Sequence, residues 1–244
     1  QTYLSRLGIF EGIDITPIPD TTAVEPTLNV LIDCTFAAPW QANFEVNVSS
    51  KSNSYLGPGV RFGLTNRNLW GGGEQFNATV TGSYEWETGR GRSSIFNSYE
   101  VGLSTSLSFP RLLAPRFVKR RRYAQNWTHV TLSGDLLNRP HYFMLGQVDG
   151  ALTYDWQYSR YVSNTLSLLK LTYTNLMRST TAFDSIMQSN PAVALSFRSQ
   201  FIPQVSWTYN YSRLFNRVNQ LDISVTLQEA GNLCWAIWRA CGVP

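Results

Sequence analysis

Residues 74–87 read EQFNATVTGSYEWE, and this stretch decides the fold class. Apolar or small side chains occupy every second position from Phe76 to Trp86, and Asn, Thr, Ser and Glu occupy the positions between them. Successive side chains of a strand point to opposite faces of its sheet. Strict alternation over this length therefore predicts a β-strand with one apolar face and one polar face.

The same period of two recurs from residue 42 onward and predicts nine strands. Their predicted cores are 42–50, 58–66, 74–87, 97–109, 127–137, 142–157, 164–176, 201–212 and 219–229. Strands of soluble proteins average about five or six residues, whereas a membrane-spanning strand needs roughly 9–11. Aromatic residues collect near several strand ends, as at Tyr84, Trp86, Tyr154 and Trp156. Length and terminal aromatics are typical of outer-membrane barrels.

Composition narrows the protein class further. The chain has 244 residues, a formal charge of +4 and 15% charged residues, whereas soluble domains carry about 25%. It contains no apolar run of the roughly 18 residues that a spanning helix needs. Aromatic residues make up 14% of the chain, which excludes disorder. The only basic run, Lys119–Arg122, supplies no stripe interleaved with aromatics, so we expect no nucleic-acid binding.

The links between the predicted strands separate into two sets. The even links are 68–73, 110–126, 158–163 and 213–218, and the odd links are 51–57, 88–96, 138–141 and 177–200. In an up-and-down barrel each set lies on one side, so we expect the long polar loop 177–200 to be external. A secreted β-sandwich stays open as an alternative, because alternation does not say which face is inside.

The first forty residues follow another scheme. A helix end at Leu4–Gly8, a strand at 13–15, a turn at 17–26 and a strand at 28–34 predict the last part of an α+β module. We expect this module to cover 1–39, with Pro39-Trp40 at the joint, and the first part of a barrel to cover 40–244. Nine strands cannot close without bare edges in lipid, so we expect a fragment of a longer protein.

Three stretches carry a family resemblance. RLGIFEGIDITPIPDT (6–21) with LNVLIDC (28–34) resembles the close of a POTRA domain in outer-membrane assembly and translocation pores of the BamA/TamA type. SNSYLGPGVRFGLTNRNLWGGGEQF (52–76) resembles that family's pattern G-x-G…Y-x-N-x-N-L-F-G-x-G-x-x-(L/F), and SLSFPRLL (106–113) resembles its second periplasmic turn. The residues of these stretches are most similar to those of TamA-like surface antigens of Bacteroidetes. The family's sixteen strands and its late Arg-Gly loop motif are not matched here.

The resemblance implies part of a transmembrane antiparallel up-and-down β-barrel, preceded by the end of a POTRA domain. It implies an outer-membrane barrel with a periplasmic module, which inserts or translocates client outer-membrane proteins. Its implied partners are these clients, the lipid bilayer and a periplasmic protein bound through POTRA domains. The implied lateral gate consists of Phe44, Glu45, Val46, Asn47, Val48, Ser49 and Ser50. The implied motif turn consists of Asn66, Asn68, Leu69, Trp70, Gly71 and Gly73.

The sequence predicts no enzyme, no cofactor and no metal site. Glu85 and Glu87 are interpreted as a polar strand face, and neither His129 nor His141 has a readable partner for catalysis. The three cysteines lie far from both histidines; Cys34 is expected to be buried, and Cys234 and Cys241 could form a disulfide.

Two other functions remain open. The first is a passive channel or surface-exposed binding barrel without an assembly role. The second is a soluble carbohydrate-binding sandwich, in which Trp127, Trp156 and Trp207 would stack on sugars.

Overall fold

A computed structural model describes residue 5 and residues 7–20, 27–50, 55–87, 98–113, 126–216 and 219–231. The fold is mainly β, as predicted. The strands are β1 Phe10–Asp20, β2 Thr27–Phe36, β3 Trp40–Ser50, β4 Tyr55–Asn66, β5 Gln75–Glu87, β6 Ser98–Phe109, β7 Asn126–Arg139, β8 Phe143–Ser159, β9 Val162–Ser179, β10 Gln200–Leu214 and β11 Gln220–Ala230. Two short helices, α1 Thr181–Ser189 and α2 Pro191–Ser196, lie between β9 and β10.

Strands β3 to β11 form one antiparallel sheet in which every strand pairs with its sequence neighbours. This up-and-down order confirms the nine predicted strands, each with ends within three residues of the prediction. Strands β1 and β2 form a separate two-stranded sheet. Among the described strands, β3 and β11 each pair on one side only and are the two edges of the large sheet.

The register separates the large sheet into an apolar face and a polar face. One row across the sheet joins Phe76, Leu107, Val130 and Leu152, and the adjacent row joins Gln75, Ser108, His129 and Thr153. Much of the apolar face is uncovered, as shown by Phe44 at 69% and Leu132 at 58% exposure. Within the described part of the chain, Phe143, Tyr154 and Phe183 are the only buried hydrophobic side chains.

Consecutive strands of the large sheet finish at opposite ends of it. We name the end at which β4, β6, β8 and β10 finish the turn end, and the end at which β3, β5, β7 and β9 finish the loop end. The residues that flank the small sheet contact the turn end, where the Arg67 N–H donates to the Pro39 carbonyl (3.0 Å) and Gln75 Nε2 donates to the Leu7 carbonyl (3.2 Å).

The first forty residues differ from prediction in one respect. Strand β1 continues through the predicted turn to Asp20, pairing Pro17 with Val30 and Pro19 with Leu28. Proline is tolerated there because each strand of a two-stranded sheet has a free side that needs no N–H donor. At the predicted helix end, Gly8 has a φ of +69° and its N–H donates to the Ser5 carbonyl, as expected of a glycine that ends a helix.

The loop 177–200 also differs from prediction, because β9 extends to Ser179 and both helices follow. Within the described residues, no helix is both long and apolar enough to cross a membrane. Cys34 is a partly exposed free thiol rather than a buried one, because the two-stranded sheet has little packed against its faces. The Lys119–Arg122 run, Cys234 and Cys241 lie outside the described residues.

Candidate functional site

The predicted gate residues Phe44 to Ser50 all lie in β3, the first edge of the large sheet. Strand β3 pairs with β4 in continuous register from Trp40 opposite Asn66 to Ser50 opposite Leu56, without a bulge. Its apolar face carries the exposed side chains of Phe44, Val46 and Val48. The strand therefore has one fully paired side and one side that no described strand covers.

Polar side chains of β3 contact β4 and the turn that follows it. Arg67 Nη2 donates to Gln41 Oε1 at 2.8 Å, and Ser49 Oγ donates to the Gly57 carbonyl at 3.4 Å. The side-chain oxygens of Asn43 and Asn47 occupy the space where a Cβ would stand on Gly63 and Gly59, respectively. All four contacts lie on the β4 side of β3, away from its free edge.

The predicted motif turn connects β4 to β5 and is held by its own side chains. Asn66 Oδ1 accepts the Asn68 N–H, and Asn68 Oδ1 accepts the Gly73 N–H, both at 2.9 Å. The Gly72 N–H donates to Glu74 Oε2 at 2.9 Å. Gly71 and Gly73 have φ angles of +87° and +82°, which L side chains rarely adopt. The motif spacing is thus explained by the geometry of a turn.

This turn lies between Leu7, which precedes the small sheet, and the residues that directly follow β6. Trp70 stacks on Phe109 with ring centroids 6.0 Å apart and planes 18° apart. A Cβ on Gly73 would lie 3.6 Å from Pro110 and 3.9 Å from Leu7. The buried Glu74 also lies 3.8 Å from an Arg111 nitrogen, and sequence reasoning did not single out this glutamate. The sequence feature that could have identified Glu74 is its position directly after the three glycines of the turn.

Replacing Asn68 with alanine is expected to reduce the free energy of unfolding by about 1–3 kcal/mol, because the part-buried Gly73 N–H loses its acceptor. Urea titration of the folded protein measures the change. Asn29→Ala, at an exposed position of β2, serves as the control and should change stability by less than about 0.5 kcal/mol. Equal effects of the two substitutions would contradict a role for Asn68 in holding the turn.

A cluster of polar side chains on the polar face of the large sheet contradicts the expectation that His129 has no partner. Ser108 Oγ lies 2.7 Å from His129 Nδ1, and His129 Nε2 lies 3.2 Å from Asp155 Oδ2. Thr165 Oγ1 donates to Asp155 Oδ1, and the Trp127 ring stacks on the imidazole. Cross-strand register brings these residues together from strands β6 to β9, and their sequence spacing gives no sign of it.

The exposure of this cluster differs from that of a catalytic triad. In a triad the carboxylate is buried and the hydroxyl meets substrate. Here Ser108 is 7% exposed, whereas the Asp155 side chain is 36% exposed. The cluster links four strands near the turn end, and the absence of enzyme activity stays a prediction. Among the described residues, no group of three or more His, Cys, Asp or Glu side chains could hold a metal ion.

The three tryptophans proposed for sugar stacking do not share a surface. Trp127 lies on the polar face beside His129. The register places Trp156 and Trp207 on the apolar face, in line with Asn126 and Leu227, respectively. The three rings therefore do not form one platform for a sugar.

Residues 180–199, which we name the helical cap, were predicted as a polar loop. Phe183 and Phe197 pack against Phe143, with ring centroids 5.0 and 4.6 Å from the Phe143 ring. Phe143 lies on the same face of β8 as Gln147 and Asp149, so the cap covers the polar face at the loop end. The missed signals are Thr180, which caps α1, and Asn190 followed by Pro191, which starts α2.

Comparison with known proteins adds little beyond this geometry. No family model matches the sequence, and a search of curated proteins finds no match. Among solved structures, the chain is similar to BamA from Haemophilus ducreyi lacking POTRA domains 1–3, with 12% identity and a TM-score of 0.33. The match covers 94% of this chain and 47% of the BamA chain, so the chain spans about half the length of that structure.

Proposed function

We propose that the nine-stranded sheet is part of the wall of an outer-membrane β-barrel and that its first strand, β3, accepts client strands by β-augmentation. The observation that carries the proposal is the edge of β3, which is 11 residues long, unbulged and unpaired on one side among the described strands. The apolar face of the sheet contacts lipid, and the polar face lines the barrel interior.

The membrane orientation is supported by the uncovered apolar face. Strands β3 to β11 are 11 to 18 residues long, at or above the length that a tilted strand needs to cross a bilayer. Exposed Leu, Val and Phe side chains recur along this face from β3 to β11. An apolar surface of this extent is unfavourable in water and marks an interaction or membrane surface.

The augmentation step is supported by the unprotected edge. Natural edge strands are blunted by proline, lysine, bulges or short length. Strand β3 has the sequence WQANFEVNVSS, which contains neither proline nor lysine and has a single charged residue, Glu45, and its register has no bulge. An added strand gains backbone hydrogen bonds there, and its alternating side chains must match the apolar and polar faces. The expected clients are therefore amphipathic strands of outer-membrane proteins.

The remaining parts of the proposal follow the family resemblance. Residues 1–39 form the end of a POTRA domain in the periplasm, where such domains offer sites for a periplasmic partner. Hydrogen bonds from Arg67 to Pro39 and from Gln75 to Leu7, beside the motif turn, support a fixed joint between this module and the barrel wall. Client insertion needs no cofactor, because client folding supplies the free energy.

A crosslinking experiment tests the proposed edge. A photo-crosslinking amino acid replaces Val46 of the membrane-embedded full chain, and a synthetic strand peptide with alternating apolar and polar residues is the probe. We expect crosslinks at Val46 and none when the same amino acid replaces Val130, which lies in the middle of the sheet between β6 and β8. Labelling at Val130 but not Val46, or at neither, would contradict the proposal.

A second measurement separates the proposal from the passive barrel. Cysteine pairs that join β3 to the strand closing the barrel should block client insertion and leave the barrel folded. Normal insertion with this seam locked would favour a passive channel or binding barrel, whose signature is single-channel conductance without an assembly defect on depletion. Release of the protein without detergent would instead support a soluble sandwich.

A further inference from the structure

The two edges of the large sheet differ in how their polar side chains are accommodated. On β11, side chains meet side chains of β10: Thr226 Oγ1 lies 3.1 Å from Thr208 Oγ1, and Ser224 Oγ donates to Asn210 Oδ1 at 2.8 Å. On β3, three of the facing residues of β4 are glycines, and two of them, Gly59 and Gly63, face Asn47 and Asn43. The asparagine side chains therefore lie over bare backbone.

The space above these glycines is filled by the asparagine side chains. A Cβ built on Gly63 would clash with Asn43 Oδ1, and a Cβ built on Gly59 would clash with Asn47 Oδ1. Glycine normally weakens a strand, because it has no side chain to pack and loses more conformational freedom on folding. Both glycines have ordinary backbone angles rather than positive φ, so the backbone itself does not require glycine at either position.

We propose that Gly59 and Gly63 are positioning residues for client capture, which keep the free edge of β3 clear by accommodating Asn47 and Asn43. This inference rests on the proposed function of β3. A client strand must approach within about 4.8 Å of β3 to form the backbone ladder. Asparagine side chains turned toward the open edge would occupy that space and compete for its backbone groups. Their placement over β4 leaves the edge open to an amphipathic strand.

The proposal predicts the effect of adding one methyl group at each glycine. In Gly59→Ala and Gly63→Ala the new Cβ displaces the asparagine side chain, and the clash involves only the end of a flexible side chain. The variants should therefore fold, with Asn47 or Asn43 moved toward the free edge. Client capture should fall about tenfold, as expected when binding also has to move a strained side chain back.

The test uses the full chain in bilayers, with the photo-crosslinker at Val46 and the alternating strand peptide as probe. Gly150→Ala is the matched control, because a Cβ on that glycine of β8 meets nothing within 4 Å. Capture should be unchanged in the control and reduced in both glycine variants. The double variants Gly63→Ala/Asn43→Ala and Gly59→Ala/Asn47→Ala should regain wild-type capture, because the displaced side chain is gone.

The outcomes separate this inference from the proposed function. If the wild-type chain fails to capture the peptide at Val46, the proposed function of β3 fails. If the wild type captures it and the glycine variants capture it equally well, only the role of the glycines is overturned. Reduced capture that the double variants do not restore would also overturn it, because a weakened β3–β4 pair would then explain the loss. Asn43→Ala alone should capture at least as well as wild type.

Discussion

Replacing Leu132 with arginine is expected to reduce the free energy of folding into lipid bilayers by about 2–4 kcal/mol. Leu132 lies near the middle of β7 on the apolar face, in line with Thr105 of β6 and Gly150 of β8, and is 58% exposed. A guanidinium near the bilayer midplane loses hydration that the hydrocarbon does not replace. Urea titration of the protein in vesicles measures the change.

Ser133→Arg is the matched control, because it adds the same charge one residue further along β7. Ser133 lies on the polar face, opposite Ser104 and Asp149, so its arginine would remain hydrated and close to a carboxylate. We expect a change within about 0.5 kcal/mol. If Leu132→Arg is as mild as Ser133→Arg, the apolar face is in water and the membrane assignment is wrong.

Replacing Phe183 with alanine is expected to cost about 3–5 kcal/mol in the stability of the helical cap. Phe183 is 6% exposed, and its ring lies 5.0 Å from that of Phe143 and 4.9 Å from that of Phe197. Helices of nine and six residues are too short to persist without this packing. Hydrogen exchange of the backbone amides in 181–196 should therefore become fast, while amides of β7 and β8 keep their protection.

Ile186→Ala provides the control within α1, because Ile186 is 42% exposed. It should leave amide exchange in the cap close to wild type. Retained protection of the cap in Phe183→Ala would show that the phenylalanine cluster does not hold it. Loss of protection throughout the sheet would instead show that the cap and the barrel wall unfold together, whereas we expect local unfolding of the cap.

Alternation along the chain was sufficient to predict all nine strands of the large sheet and the faces of their side chains, whereas their up-and-down order was predicted from the family resemblance. The reason is that a period of two is a local property: alternate residues within each strand are apolar or polar according to the face of the sheet on which they lie. The motif turn was also predictable, because Asn66, Asn68 and the glycines close hydrogen bonds within nine residues of chain. The helical cap could have been found from Thr180, Asn190 and Pro191.

Three features depended on tertiary structure. The Ser108–His129–Asp155 cluster joins residues 21 and 26 positions apart in the chain, the phenylalanine cluster joins β8 to the helical cap, and the glycines of β4 receive asparagines of β3. Each arises from cross-strand register or from the return of a loop onto the sheet. Alternation is unchanged when a strand slides by two residues past its neighbour, so the composition of each face was predictable but the neighbours of each residue were not.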